Sequence, residues 1–352
     1  FTSGADGYHS YRIPAIETAA DGSLVAFAEA RKHNLADPGF GKQDIDLVVK
    51  RSSDRGKTWS KMEIVEDPGE LWSAANPATV VDRTNGRLWV LYLRSKPERS
   101  TRTSRPGTDD MQTLARHSDD HGVTWSDAID LTKVARDMDD PQWRASVVGP
   151  GGMIQDRKGR LIAPVWKAPY GVFTIYSDDH GAKWKRGQTV PGENVGNEDQ
   201  LVELADGRIL MDIRQTAGPH RQQATSGDGG HSWSAPRAGE TVTPVACAIE
   251  RLTLQSAGDD RNRIVTSLGG QLAAFNSRLF ILKEYGIRAQ NLFNMKQFSF
   301  RGGGSFGSGA EVRLWGHVIN MAEGERLYRP GFLLAQAANR VIGGDLMRTI
   351  HE

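Results

Sequence analysis

The chain has 352 residues, of which 38% are hydrophobic and 25% charged, the balance of a folded globular protein rather than a disordered one. A net charge of +1 gives no electrostatic footprint for nucleic acid, and no apolar run reaches the length that spans a membrane. The single cysteine, Cys247, rules out an internal disulfide and reads as a small buried apolar residue.

Taken in order, the chain opens with Tyr11-Arg12-Ile13-Pro14 and then a turn, Asp21-Gly22, followed by the apolar run Leu24-Val25-Ala26-Phe27-Ala28. The same turn-then-strand pattern returns at Asn85-Gly86 with Leu88–Tyr92, at Lys158-Gly159 with Leu161–Val165, and at Asp206-Gly207 with Ile209–Ile213. Such dipeptides between apolar runs signal hairpins. Runs without polar alternation suit strands buried on both faces. Each run ends in a cation, Arg31, Arg94, Lys167 or Arg214. Equivalent positions in a repeat protein share one side, so these cations should gather near one face.

A second repeat is interleaved with the first. The frame Ser-x-Asp-x-Gly-x-x-Trp begins at Ser52, Ser118, Ser177 and Ser226, so successive copies start 66, 59 and 49 residues apart. In each, the Asp can bond nearby backbone amides, the Gly supplies a positive φ, and the Trp packs under the turn. Four copies at this spacing mark an array built from one supersecondary unit. The unit is strand, hairpin, strand, Asp-containing turn, strand, and radial repetition of short antiparallel strands makes an all-β propeller. The chain length divided by roughly 60 residues per unit gives six blades. The sequence therefore reads as one β-propeller domain over residues 1–352.

Three segments depart from the repeat. Residues 32–44 and 95–110 are long polar loops, the second reading as a solvated insertion with Arg99, Arg102 and Arg105; long loops on a rigid scaffold often carry function. Leu131 to Asp140 can form one short helix. From about Gly270 to residue 352 the frame does not recur, and Arg301 to Gly309 is glycine-rich and flexible by composition. A shift of reading frame in the coding sequence near codon 270 accounts for such a change of character.

With its four Asp boxes and Tyr-Arg-Ile-Pro segment, the chain resembles the sialidases (neuraminidases) of the bacterial and animal type over roughly residues 8–270. These have a Phe/Tyr-Arg-Ile-Pro motif in the first blade, several Asp boxes and a six-bladed propeller. The resemblance implies an exo-acting, retaining glycoside hydrolase that releases terminal sialic acid. It implies no cofactor and no metal. The expected partners are sialylated glycans and the expected state a monomer. The expected location is extracellular or periplasmic; the chain begins at Phe1 rather than Met, so a leader could have been removed, which by itself says nothing about secretion.

The residue types suit that chemistry. A sugar with a carboxylate on its anomeric carbon calls for planar, permanently charged guanidinium groups. Arg12 matches the first member of the family's arginine triad and Arg214, in Met211-Asp212-Ile213-Arg214, the second; Arg278 is the candidate third. A carboxylate nucleophile would be repelled by such a substrate, so these enzymes use a tyrosine. The phenol then needs a carboxylate to take its proton. Glu198, in Gly196-Asn197-Glu198-Asp199-Gln200, matches that role. Asp37, in Ala36-Asp37-Pro38-Gly39, fits the family's general acid/base, with Asp44 and Asp46 as rivals. Arg31 matches an arginine that contacts the sugar beside this loop. The family's tyrosine tetrapeptide, Tyr-Ser/Thr-Asp-Leu or similar, is absent. Tyr285 and Tyr328 remain in the C-terminal third, and Tyr328 lies at about the right distance from the C-terminus to be the nucleophile. A propeller that binds acidic glycans without cleaving them would use the same arginines and lack a productive tyrosine. A purely structural or protein-binding propeller would need neither Glu198 nor the arginines.

Overall fold

The computed structural model describes residues 1–204, 206–215 and 221–238, and beyond them the backbone of short stretches of strand. The backbone separates into two units, Phe1–Pro244 and Val245–Glu352. In the described part of the first unit the strands form four antiparallel meanders. The first is β1 (Ser10–Thr18), β2 (Leu24–Arg31), β3 (Ile45–Ser52) and β4 (Glu63–Glu66). The second is β5 (Ser73–Val81), β6 (Leu88–Ser95), β7 (Met111–Ser118) and β8 (Ile129–Asp130). In the third, β9 (Ala145–Val148) and β11 (Ile154–Gln155), with β10 (Gly151–Gly152) between them, form an interrupted first strand. β12 (Leu161–Ala168), β13 (Gly171–Ser177) and β14 (Lys185–Arg186) complete that blade. The fourth is β15 (Asp199–Glu203), β16 (Ile209–Ile213), β17 (Gln222–Ser226) and β18 (Arg237–Ala238). The first strands of the meanders adjoin one another, β1 beside β5 and β10, and β10 beside β15. This is the radial arrangement of a β-propeller. The one helix among the described residues, α1 (Thr132–Ala135), falls inside the segment expected to hold it.

The second unit is described as strands alone. β19 (Ile249–Glu250), β20 (Arg263–Leu272) and β21 (Phe275–Glu284) pair antiparallel, as do β22 (Glu311–Leu314) and β23 (His317–Asn320).

The second strand of each blade is buried almost throughout, as the unbroken apolar runs require: Val25, Phe27, Leu88, Val90, Leu161, Ala163, Ile209 and Met211 are almost fully enclosed. The core lies between blades. One cluster joins Val25 and Phe27 to Leu88 and Tyr92; a second joins Trp89 and Leu91 to Leu161 and Phe173; a third joins Ile162 and Tyr176 to Ile209 and Met211.

The Asp boxes explain how neighbouring blades are joined. In all four, the Ser hydroxyl donates to the Asp carboxylate at 2.7–2.9 Å and accepts the Gly amide at 2.7–2.9 Å. The Asp also takes the amide two residues after the Gly, that of Thr58, Thr124, Lys183 or Ser232. The turn so closed puts its Gly against the preceding blade. A Cβ on Gly122 would meet Val25, one on Gly181 would lie 2.1 Å from Trp89, and one on Gly230 would meet Ile162 and Thr174. The box tryptophans do the same: Trp125 packs edge-on against Phe27 and Trp184 against Trp89. The tryptophan was expected beneath its own turn; it reaches across to the neighbour because the preceding blade's second strand supplies the apolar surface there. Polar staples follow the same path, with His180 Nδ1 2.7 Å from the buried Asp82 and Arg160 donating to the carbonyls of Asp228 and Gly229.

A further internal repeat shows in the backbone. The registers of β1 and β5 slip between Arg12 and Ala15 and between Ala75 and Ala78, and the third blade's first strand breaks after Val148. At each break stand a residue of positive φ and a proline: Ile13 (50°) before Pro14, Asn76 (54°) before Pro77, and Gly149 (49°) before Pro150. Proline has no amide to give the ladder, so the strand bulges there. The bulges abut. Asn76 Nδ2 reaches the carbonyl of Val148 at 3.4 Å, and the Gln200 amide donates to the carbonyl of Pro150.

Candidate active site

The loop after β2 carries Asp37 and is braced at its neck. The Lys32 amide donates to the Asp44 carbonyl at 2.9 Å, and Lys32 Nζ lies 2.8 Å from Asp44 and 3.2 Å from Asp46. Asp46 also accepts the Tyr8 hydroxyl at 2.5 Å, and Asp44 accepts the Leu71 amide at 3.0 Å. Both carboxylates are buried in these bonds. Of the three candidate acids, only Asp37 is open to solvent, its side chain 63% exposed. Inside the loop, Asn34 Oδ1 accepts from the Ala36 amide at 2.8 Å and from the Gln43 side chain at 2.7 Å. The Phe40 amide closes a turn onto the Asp37 carbonyl at 3.0 Å.

The loop between β6 and β7, expected as a free solvated insertion, is a support. Its backbone at Arg99 packs on Gly39, where a Cβ would lie 2.1 Å from the Arg99 carbonyl oxygen. Arg105 grips the buried Asp110 with two bonds of 2.8 Å, which holds Asp110 well below the usual carboxylate range. Arg102 lies over the Phe40 ring at 5.7 Å.

Arg12, Arg31 and Asp37 come together. Arg12 Nη1 donates to Asp37 at 2.8 Å and to the Leu35 carbonyl at 3.0 Å, and its side chain is 39% exposed. Arg31 is fully buried. Its Nε and Nη2 hold Glu29 at 3.0 and 2.5 Å, its Nη1 holds the carbonyls of Leu35 and Ala36 at 2.6 Å each, and both Nη atoms lie 3.3 Å from Asp37. Glu29 is buried beneath it; burial pushes its carboxyl up, against the pull of Arg31.

Glu198 and Arg214 form the second group. The Arg214 amide donates to the Glu198 carbonyl at 2.9 Å, extending the β15–β16 ladder, and Arg214 Nη1 holds Glu198 Oε2 at 3.0 Å. Both side chains are about a third exposed, at 33% and 30%. Behind them Asp199 is buried, with neither carboxylate oxygen hydrogen-bonded among the described residues, and burial pushes it well above the carboxylate range. Beside it lies the buried ion pair of Asp212 with Arg221.

Both groups sit at the same edge of their blades, where a first strand begins and a second ends: Arg12 pairs with Glu29, and Asp199 with Ile213. Arg94 and Lys167 occupy the matching ends of β6 and β12 but serve other partners. Arg94 holds Glu66 at 3.2 Å, and Lys167 lies over the Trp143 ring at 4.5 Å. Arg278 belongs to β21, opposite Gly269, and its side chain lies outside the described residues, as do Tyr285, Tyr328 and Cys247. Among the described residues no group of His, Cys, Asp or Glu is arranged to hold a metal ion.

Sequence reading passed over Glu29 and Asn76. The signal for the first was present: Glu29 and Arg31 stand two apart in a buried strand, hence on one face, as a self-contained ion pair. For Asn76 the signal was Asn-Pro at the position Ile-Pro holds in the first blade.

A family model described as a BNR repeat-like domain matches residues 22–269. The chain is 33% identical to a sialidase of Micromonospora viridifaciens over 66% of its length, spanning 37% of that protein. It is 30% identical to an exo-alpha-sialidase of Aspergillus fumigatus over 75% of its length, spanning 66% of that protein. Among solved structures, the Hadza microbial sialidase Hz136 superposes with a TM-score of 0.71 at 24% identity, over 80% of this chain and 57% of that one. Blades welded by Asp boxes, with paired arginines and carboxylates at the edge where their first strands begin, agree with that match: the chain belongs to the sialidase family of BNR-repeat proteins.

Proposed function

We propose that this protein is an exo-alpha-sialidase that releases terminal sialic acid from glycoconjugates with retention of configuration. The observation that carries this is the pairing of two accessible arginines with one carboxylate each, Arg12 with Asp37 and Arg214 with Glu198, at equivalent edges of their blades. The guanidinium groups of Arg12 and Arg214, with Arg278 as the third, take the substrate carboxylate. Asp37 gives its proton to the glycosidic oxygen as the aglycone leaves. A tyrosine, Tyr328 in this reading, attacks the anomeric carbon while Glu198 accepts the phenol proton. Asp37 then takes a proton from water, which displaces the tyrosine, and Glu198 returns the phenol proton. The reading includes six blades closed in one domain, a monomer, and no cofactor.

The test is turnover of an aryl α-sialoside followed by proton NMR of the released sugar. Release first as the α-anomer is expected. Release as the β-anomer refutes retention. Saturable binding of a sialic acid analogue with no release refutes catalysis and leaves a glycan-binding propeller.

A further inference from the structure

We propose that Arg102, seated on the Phe40 ring, is a specificity-determining residue that takes an anionic group, a carboxylate or a sulfate, on the sugar next to the one released. The inference rests on the glycosidase reading above and names a substrate class within it: glycans whose leaving part is itself acidic.

The place follows from Asp37. On that reading Asp37 protonates the glycosidic oxygen, so the departing glycan begins at Asp37 and runs over the surface that flanks it. That surface is the tip of the loop after β2. Leu35 and Phe40 stand two residues before and three after Asp37, 58% and 38% exposed, among the few large apolar side chains of the described residues that are open to solvent. The Phe40 amide bonds the Asp37 carbonyl at 3.0 Å, and such a turn holds its first and last α-carbons within about 7 Å. Exposed apolar and aromatic side chains beside a reacting group suit the C–H face of a sugar ring.

The charge comes from the β6–β7 loop, whose backbone at Arg99 abuts Gly39. Its four cations differ. Lys96 is paired with Asp109, and Arg99 and Arg105 with Asp110. Arg102 is exposed and has no acidic partner among the described residues; its guanidinium lies 5.7 Å from the centre of the Phe40 ring. A ring face orients a cation without neutralising it, so the planar fork of donors stays available. The tip that carries Arg102 is held in place. Thr103 Oγ1 accepts the Ser100 amide and donates to the Glu98 carbonyl, each at 2.9 Å, and Arg144 Nε donates to the Thr101 carbonyl at 3.3 Å. Arg12 belongs to the carboxylate of the terminal sugar on the same reading, so a second negative charge on the substrate needs a second guanidinium. Arg102 is the one beside the path of the leaving glycan.

The measurement is kcat/KM of the unmodified protein and of Arg102→Ala on three substrates: sialyllactose, whose leaving part is neutral; sialyllactose sulfated on its galactose; and disialyllactose, whose leaving sugar is a second sialic acid. Arg102→Ala is expected to lose about threefold to tenfold on one or both acidic substrates, the range between an exposed charge contact and a forked, charge-assisted one, and less than about twofold on sialyllactose. A loss on the sulfated substrate alone identifies a sulfate as the ligand, on disialyllactose alone a carboxylate, and on both a site that reads charge; each supports the proposal. Arg102→Glu is expected to lose more than Arg102→Ala on the same substrate, and both losses to shrink in about 0.5 M salt. Equal losses on all three substrates, no loss on either acidic one, or a loss that salt leaves unchanged overturn the proposal. Absence of turnover of every substrate by the unmodified protein sinks the glycosidase reading and this one together; turnover of sialyllactose without the split sinks this one alone.

Discussion

Asp37 holds the Arg12 guanidinium, the group that on the proposed sialidase reading would take the substrate carboxylate. Removing its charge, as in Asp37→Asn, should therefore tighten binding of a non-hydrolysable sialic acid analogue even as it abolishes turnover. The size of the gain follows from exposure. Arg12 and Asp37 lie 2.8 Å apart, but both side chains are more than a third exposed. Such a pair is worth about 0.2–1 kcal/mol, not the several kcal/mol of a buried one. At 1.4 kcal/mol per tenfold, the dissociation constant should fall by roughly 1.5- to 5-fold. Isothermal titration calorimetry at low salt reads this directly. The gain should shrink in about 0.5 M salt, where screening reaches a few ångströms, and vanish for the methyl ester of the same analogue. Binding that is unchanged or weaker in Asp37→Asn, or an equal gain for the ester, would refute the exchange.

Gly181→Ala should cost about 2–5 kcal/mol, combining a positive-φ penalty of about 1–2 with displacement of the buried Trp89 ring. Gly159→Ala, also at positive φ but with open space around it, should cost only the first part; equal shifts of the urea midpoint would refute the welding role of the box. Asp54, Asp120 and Asp228 are each held at about 2. For Asp54 the bonds from Thr58 and Ser52 do this; for the other two the same kind of bonds outweigh burial, which acts the other way. Their folded values lie below the unfolded 3.8, so their stabilisation is complete above about pH 4 and is lost as pH falls toward 2. The thermal midpoint should drop across that window, and less steeply in Asp120→Asn; an unchanged slope in that variant would count against it. The family match ends at residue 269, and sequencing the gene across codons 265–275 should reveal a second frame that encodes a Tyr-Ser/Thr-x-Leu segment downstream. A coding sequence with no such frame refutes the frame-shift reading.

Much of the blade was legible in the chain because its determinants are local. The Ser, Asp and Gly of each box bond within a span of seven residues, so covalent reach alone brings them together, and the frame announces the turn wherever it stands. The second strands were equally plain, since a strand covered on both faces admits no polar alternation. The candidate site residues came from the resemblance to the sialidases, and the chemistry of an acidic sugar explains why arginines would be there. Glu198 and Arg214 adjoin because they lie on paired strands of a single hairpin.

What lay across blades was not legible. No property of Trp184 says that it packs against Trp89 rather than beneath its own turn, nor of Asn76 that its amide finds Glu29. Those contacts depend on how one sheet is rotated against the next. Burial was likewise decided only by the assembled fold. Asp37, Asp44 and Asp46 are equivalent as letters, yet Lys32, Tyr8 and the Leu71 amide consume the last two and leave the first in solvent. Arg12 and Arg31 are likewise one residue type, yet the first stays accessible while the second is buried against Glu29 two residues upstream. The sequence by itself determined the module and the charges it carries; the tertiary structure alone decided which of those charges stay open to solvent, because solvent access and inter-blade hydrogen bonds exist only once the blades are packed.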